Sequence, residues 1–129
     1  MRPRPLTSPP GHCRWAIAGG HIPHEGHGPE PELTSFDRIC LLNAGDGQAE
    51  VELIIFYSHQ EPAGPYRLCV GARRMRHVRF NDLIDPFPIP LDADYSGAVT
   101  SNVPVVVQFS RQDTGSSTRA SIGTLAWTP

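Results

Sequence analysis

Residues 50–58 read EVELIIFYS, and the alternation inside this stretch decides the fold class. Successive side chains of a strand point to opposite faces. Val51, Leu53, Ile55 and Tyr57 therefore make one unbroken apolar face, and Glu50 and Glu52 open the other. That pattern is what a packed β-core requires. In the second half the outer face turns apolar as well, at Ile54 and Phe56. Neighbouring exposed Ile and Phe side chains make a sticky patch on a monomer, so this pair predicts a subunit interface in a homo-oligomer.

Working outward, similar short segments recur on both sides. A first strand starts near Cys13, with Cys13, Trp15 and Ile17 on one face and Arg14, Ala16 and Ala18 on the other. A long loop is expected from Gly19 to about Leu33. A second strand runs from Phe36 to Leu42 and stops at Asn43-Ala44-Gly45-Asp46-Gly47, a strong turn signal. Tyr66–Val70 follows the turn at residues 61–65, and an arginine-rich strand comes next, ending at an Asn81-Asp82 turn. Pro86, Pro88 and Pro90 exclude a central strand from residues 81–94, which read as an extended rim. Strands are expected at Tyr95–Thr100, at Val103–Ser110 and at Ser121–Trp127. The sum is an all-β, single-domain, eight-stranded antiparallel β-sandwich of jelly-roll-like type.

Composition agrees. Fourteen prolines and twelve glycines among 129 residues favour short extended pieces joined by turns. The length suits one domain, read as residues 13–129 behind a flexible Pro/Ser-rich leader at residues 1–12. The formal net charge of -2 argues against a protein built to coat nucleic acid. Cys13, Cys40 and Cys69 show no CxxC spacing, and neither a signal peptide nor an apolar span is legible. A cytoplasmic protein with reduced thiols is the expectation.

Chemistry concentrates in RRMRHVRFND, residues 73–82, where four arginines and a histidine share a strand-length segment. Alternation places Arg73, Met75, His77 and Arg79 on one face and Arg74, Arg76, Val78 and Phe80 on the other. Guanidinium groups suit carboxylates, phosphates and sugar hydroxyls. One reading is a ligand pocket built from Arg73, Arg74, His77, Asn81 and Asp82, with Trp15 as a flat stacking surface. Asn43, Gln108 and Arg111 complete the candidate ligand-binding set. A second reading is a solvated strand whose arginines pair with Glu50, Glu52 and the aspartates of residues 82–94. A third is a patch for nucleic acid or acidic lipid, which the missing lysines and the negative net charge disfavour. Trp15 also fits the core, and Asn43 and Asp46 fit simple turn roles.

His21, His24 and His27, with Glu25 between, have residue types that zinc accepts. They lack the second pair from a separate segment that structural zinc sites use, so no metal is expected. No nucleophile elbow, phosphate loop or zinc-protease helix is present, and no cofactor is implied. A small sugar-metabolising enzyme using His77 or Asp82 as acid or base is the alternative from another class.

Several segments in order, WAIAGGHIP with GHGPEP, CLLNAGD, FYSHQEPAGPYRL, ARRMRHVRFNDL, PFPIPLDADY and SNVPVVVQFSRQD, closely resemble the Anabaena-type sensory rhodopsin transducer family. The resemblance spans roughly residues 13 to 127. It implies a small soluble eight-stranded β-sandwich that assembles into a homotetramer. It further implies a non-enzymatic signalling module that partners the cytoplasmic face of a membrane photoreceptor, a rhodopsin, and binds a sugar or related metabolite. The sequence departs from the family in its longer proline-rich start and in the histidines of the first loop.

Overall fold

The computed structural model describes residues 8–23, 35–113 and 120–129. Seven strands run through them: β1 (His12–His21), β2 (Phe36–Asn43), β3 (Ala49–Tyr57), β4 (Ala63–Val70), β5 (Arg74–Arg79), β6 (Asp94–Asp113) and β7 (Ala120–Leu125). Among the described residues the only helical element is a 3-10 turn at Phe80–Asp82. The fold is all-β, and each strand pairing is antiparallel. The hydrogen-bonded order is β4-β3-β6-β2-β5, with β1 and β7 also on β6.

The 20-residue strand β6 organises this curled sheet. Its first half pairs with β1 and β3, so that Gly97 lies opposite both Ile17 and Ile55. Its second half pairs with β2 and β7, so that Phe109 lies opposite Ile39 and Thr124. The β3 ladder ends at Ser101 and the β2 ladder begins at Val106. Pro104 sits in that changeover, where a missing N–H removes no ladder bond. The two strands expected at Tyr95–Thr100 and Val103–Ser110 are thus one, and the expected eight strands are corrected to seven among the described residues. The Ser101-Asn102 pair that looks like a break is bonded into the sheet instead. Asn102 Oδ1 accepts the Glu50 N–H at 2.7 Å, and its Nδ2 donates to the Gln48 carbonyl at 3.4 Å.

Inside the curl lies one apolar core. Val51, Leu53 and Ile55 face it from β3, as their alternation predicts, together with Ile39 and Leu41 of β2 and Val105, Val107 and Phe109 of β6. Each fully buried aliphatic side chain of this size contributes about 1.5–3 kcal/mol. Phe80, delivered by the 3-10 turn, packs its ring 5.2 Å from that of Tyr95 and 5.9 Å from that of Phe109. Residues 83–92 contain no strand, as the alternating prolines predict. Leu83 and Ile89 anchor this rim by burial, while Ile84, Phe87 and Leu91 stay exposed.

Several strand ends differ from expectation: β4 begins at Ala63, inside the turn expected at residues 61–65, and β7 ends at Leu125 rather than Trp127. β1 continues through Gly19 and Gly20 to His21, which pairs with Asp94, so the first loop begins later than Gly19. The extension depends on Gly20, because a Cβ there would lie 2.3 Å from Cζ of the Tyr95 ring. Gly20→Ala should therefore cost about 1–3 kcal/mol by overpacking, seen as a lowered urea midpoint. An unchanged midpoint would show that the Tyr95 ring moves freely. β5 starts at Arg74, because Arg73 has φ 56°, in the left-handed region, and donates its N–H to the Gly45 carbonyl at 3.0 Å. Beyond β7, Trp127 and Ala16 exchange backbone bonds of 2.7 and 2.8 Å.

Candidate functional site

In β2 the odd residues face the core, and Asp37 occupies the first such position on that strand. A carboxylate there must find donors. Asp37 is fully buried and accepts from Arg111 Nε at 2.8 Å, from the Tyr95 hydroxyl at 2.7 Å and from the His21 backbone N–H at 2.8 Å. The arrangement follows from the register. Asp37 lies directly opposite Arg111 on β6, while Tyr95 and His21 come from the β6–β1 ladder. Hydrogen bonding to Asp37 raises the Arg111 pKa further, against the opposing effect of burial. Burial, reinforced by the Asp37 charge, pushes the Tyr95 hydroxyl well above the usual phenol range, so it remains a donor.

Arg111 faces a groove of about 510 Å³ between the ends of β1, β3 and β6. Gly20, His21, Phe56, Tyr57, Asp94 and Tyr95 share its lining with Ser58 and Ser96. The His21 ring bridges two acidic side chains, with Nδ1 2.8 Å from Asp94 Oδ1 and Nε2 3.6 Å from Asp92 Oδ1. Burial raises the Tyr57 phenol pKa, so it too presents a hydroxyl rather than a phenolate. A fixed cation, a carboxylate, hydroxyls and aromatic surface together suit a small hydroxylated anion.

A second groove, of about 460 Å³, lies between β4 and β5. It gathers Tyr66, Arg67, Arg76, His77, Arg79 and Asp82, with Ile84 and Asp85 from the rim. Arg79 grips Asp82 through two bonds, of 3.1 and 3.2 Å, and Arg76 donates to the Cys69 carbonyl at 3.0 Å.

The residues singled out in the sequence do not converge on one pocket. His77 and Asp82 line the second groove and Arg111 the first. Trp15 is buried, its indole N–H shared between the His12 and Val105 carbonyls at 3.0 and 2.9 Å. Asn43 is buried too, bonded to four backbone groups. Arg73 and Arg74 stay exposed at the β5 turn, Arg74 donating to the Arg73 carbonyl. Asn81 Nδ2 reaches the Ser35 carbonyl at 3.2 Å, whereas its buried Oδ1 has no partner among the described residues. Gln108 is exposed, opposite Cys40 on β2. On the outer face Ile54 lies opposite Ala98 and the exposed Phe56 opposite Ser96. His24 and His27 lie outside the described residues.

Asp37 and Tyr95 were not singled out in the sequence, and His21 only as one of the zinc-type histidines, yet a signal for the first exists. Asp37 shares the parity of Ile39 and Leu41, and Arg111 that of Val105, Val107 and Phe109. Opposite charges at core-facing positions of two strands predict a buried pair. Among the described residues no group of three or more His, Cys, Asp or Glu is placed to hold a metal ion. No helix among the described residues is long and apolar enough to cross a membrane.

Comparison with known proteins adds the following. The family model described as "Anabaena sensory rhodopsin transducer" matches residues 10–128. A solved structure of the Anabaena sensory rhodopsin transducer is 57% identical with TM-score 0.73, covering 81% of this chain and 99% of that one. The crystal structure of Thermotoga maritima 1070 is 28% identical with TM-score 0.77, covering 91% of this chain and 94% of that one. No curated protein matches the chain.

Proposed function

Because the chain belongs to the Anabaena sensory rhodopsin transducer family, we propose that it is a non-enzymatic signalling module that binds a small hydroxylated anion, such as a sugar acid. The Arg111 guanidinium, held at the groove by the buried Asp37 carboxylate, carries this reading. A carboxylate or phosphate of the ligand would face Arg111, and its hydroxyls Asp94, Tyr57 and Ser58. Occupancy would then bias the affinity for a receptor, by the reciprocity that links any two coupled sites. The 57%-identical relative is named a sensory rhodopsin transducer, which supports a rhodopsin as the first receptor to test. In the second groove Asp82 is neutralised by Arg79, which favours binding over acid–base chemistry there.

A thermal-shift screen against neutral sugars, sugar acids, sugar phosphates and nucleotides tests the reading. A ligand at a hundred times its Kd should add ~2.7 kcal/mol, a rise of several degrees. Asp94→Asn and Tyr57→Phe, both at the groove, should shrink that rise while leaving the ligand-free midpoint nearly unchanged. If no compound class shifts the midpoint, or if both variants respond like the parent, the groove is not the binding site.

Assembly as a homotetramer is proposed through the outer face of β3. Ile54 and Phe56 stand beside Ala98 and Ser96 of β6, and Ala16 of β1 flanks Ala98. A charge at the centre of such a face is strongly disfavoured on association. Phe56→Glu should lower the mass measured by light scattering at least to that of a dimer. A tetramer that survives this change must close through another surface.

A further inference from the structure

We propose that the β4–β5 edge and the adjoining proline-rich rim form a docking surface for an anionic lipid bilayer. This goes beyond the ligand-binding role, which uses the other groove. Three observations combine. First, β5 is exposed on both faces over residues 74–77 and ends the sheet order, with β2 as its strand partner among the described residues. Second, the cations of β4 and β5 are only partly neutralised. Arg79 is paired with Asp82, and Arg67 lies 3.5 Å from Glu52. Arg74 and Arg76, however, bond backbone carbonyls alone among the described residues, and His77 stands exposed beside them. Asp85 is the remaining carboxylate along the groove.

Third, the rim displays apolar side chains outward on a fixed backbone. Ile84 is 66% exposed and Phe87 64%, although their neighbours Leu83 and Ile89 are buried and clamp the segment to the core. The Tyr66 hydroxyl donates to the Phe87 carbonyl, which ties the main chain down while the ring projects. Ile84 shares the second groove with Arg67 and Arg76, so the apolar and basic groups form one surface. Phe87 joins it through Tyr66, another lining residue.

This combination matches the interface of an anionic membrane. Arginines near such a surface gain from its negative potential and fork onto lipid phosphates, while one or two apolar side chains enter the acyl boundary. An acidic protein would satisfy the arginines but would also have to supply a pocket for a ring that lies outside both grooves.

The test is sedimentation of the full chain with vesicles of phosphatidylcholine alone or mixed with phosphatidylglycerol. Partition should favour the mixed vesicles and weaken as potassium chloride rises. Arg74→Ala with Arg76→Ala should lower it about fivefold per arginine. Phe87→Ser should lower it roughly tenfold with little change in the salt dependence. Equal partition into both vesicle types, or variants that sediment like the parent, overturns the proposal. Retention on immobilised polyglutamate without vesicle binding overturns it too, and assigns the arginines to an acidic protein.

Discussion

Asp37→Ala is expected to destabilise the fold by about 3 kcal/mol, the lower end of the range for breaking a buried ion pair. The substitution strands three donors at once: the Arg111 guanidinium, the Tyr95 hydroxyl and the His21 backbone N–H. The Arg111 side chain retains 28% of its exposure, so water screens part of the loss, and the upper end of the range is not reached. For a domain of this size the thermal midpoint should fall by about 10 °C. Asp37→Asn keeps the shape and one acceptor oxygen while removing the charge, and should cost roughly half as much. The two variants should also lose any ligand-induced thermal shift, because Arg111 would no longer be held at the groove. A loss below ~1 kcal/mol for Asp37→Ala would mean that Arg111 finds another partner.

The separation of what the sequence discloses from what it conceals follows from the range of the interactions. Strand identity is local. The period-2 face of Val51, Leu53 and Ile55, the turn after Asn43 and the proline rim are all set by neighbouring residues, and all are legible. Continuity of β6 is not local, because Asn102 looks like a turn residue until Glu50, on another strand, donates to it. The same holds for Gly20, whose reason for being glycine is the ring of Tyr95 across the ladder. The family was legible because it rests on many short segments in order. The first groove was not, because it is assembled from the ends of β1, β3 and β6 with a carboxylate on β2 beneath it. Arginine density drew attention to β5, where abundance of charge signals exposure. The more constrained cation is Arg111, marked by its parity with Phe109 rather than by its neighbours.

Asn43→Ala should be the second most damaging of these changes, at about 2–3 kcal/mol. The side chain is fully buried at the end of β2, where the chain turns toward β3. Its Nδ2 donates to the carbonyls of Gly47, Val70 and Gly71 at 2.8, 3.1 and 3.1 Å, and its Oδ1 accepts the Gly45 N–H at 3.1 Å. One amide thus joins the β2–β3 turn to the far end of β4. Alanine leaves three carbonyls and one N–H short of a partner, and the bond to Val70 is the buried one, so water cannot replace it cheaply. Asn43→Asp separates this role from a ligand-binding one. It preserves shape but turns a carboxylate oxygen toward three carbonyl oxygens, so it should be at least as damaging as alanine, with both midpoints down by several degrees. A ligand-contacting Asn43 would show the opposite pattern: unchanged midpoints without ligand, and a loss confined to the ligand-induced shift.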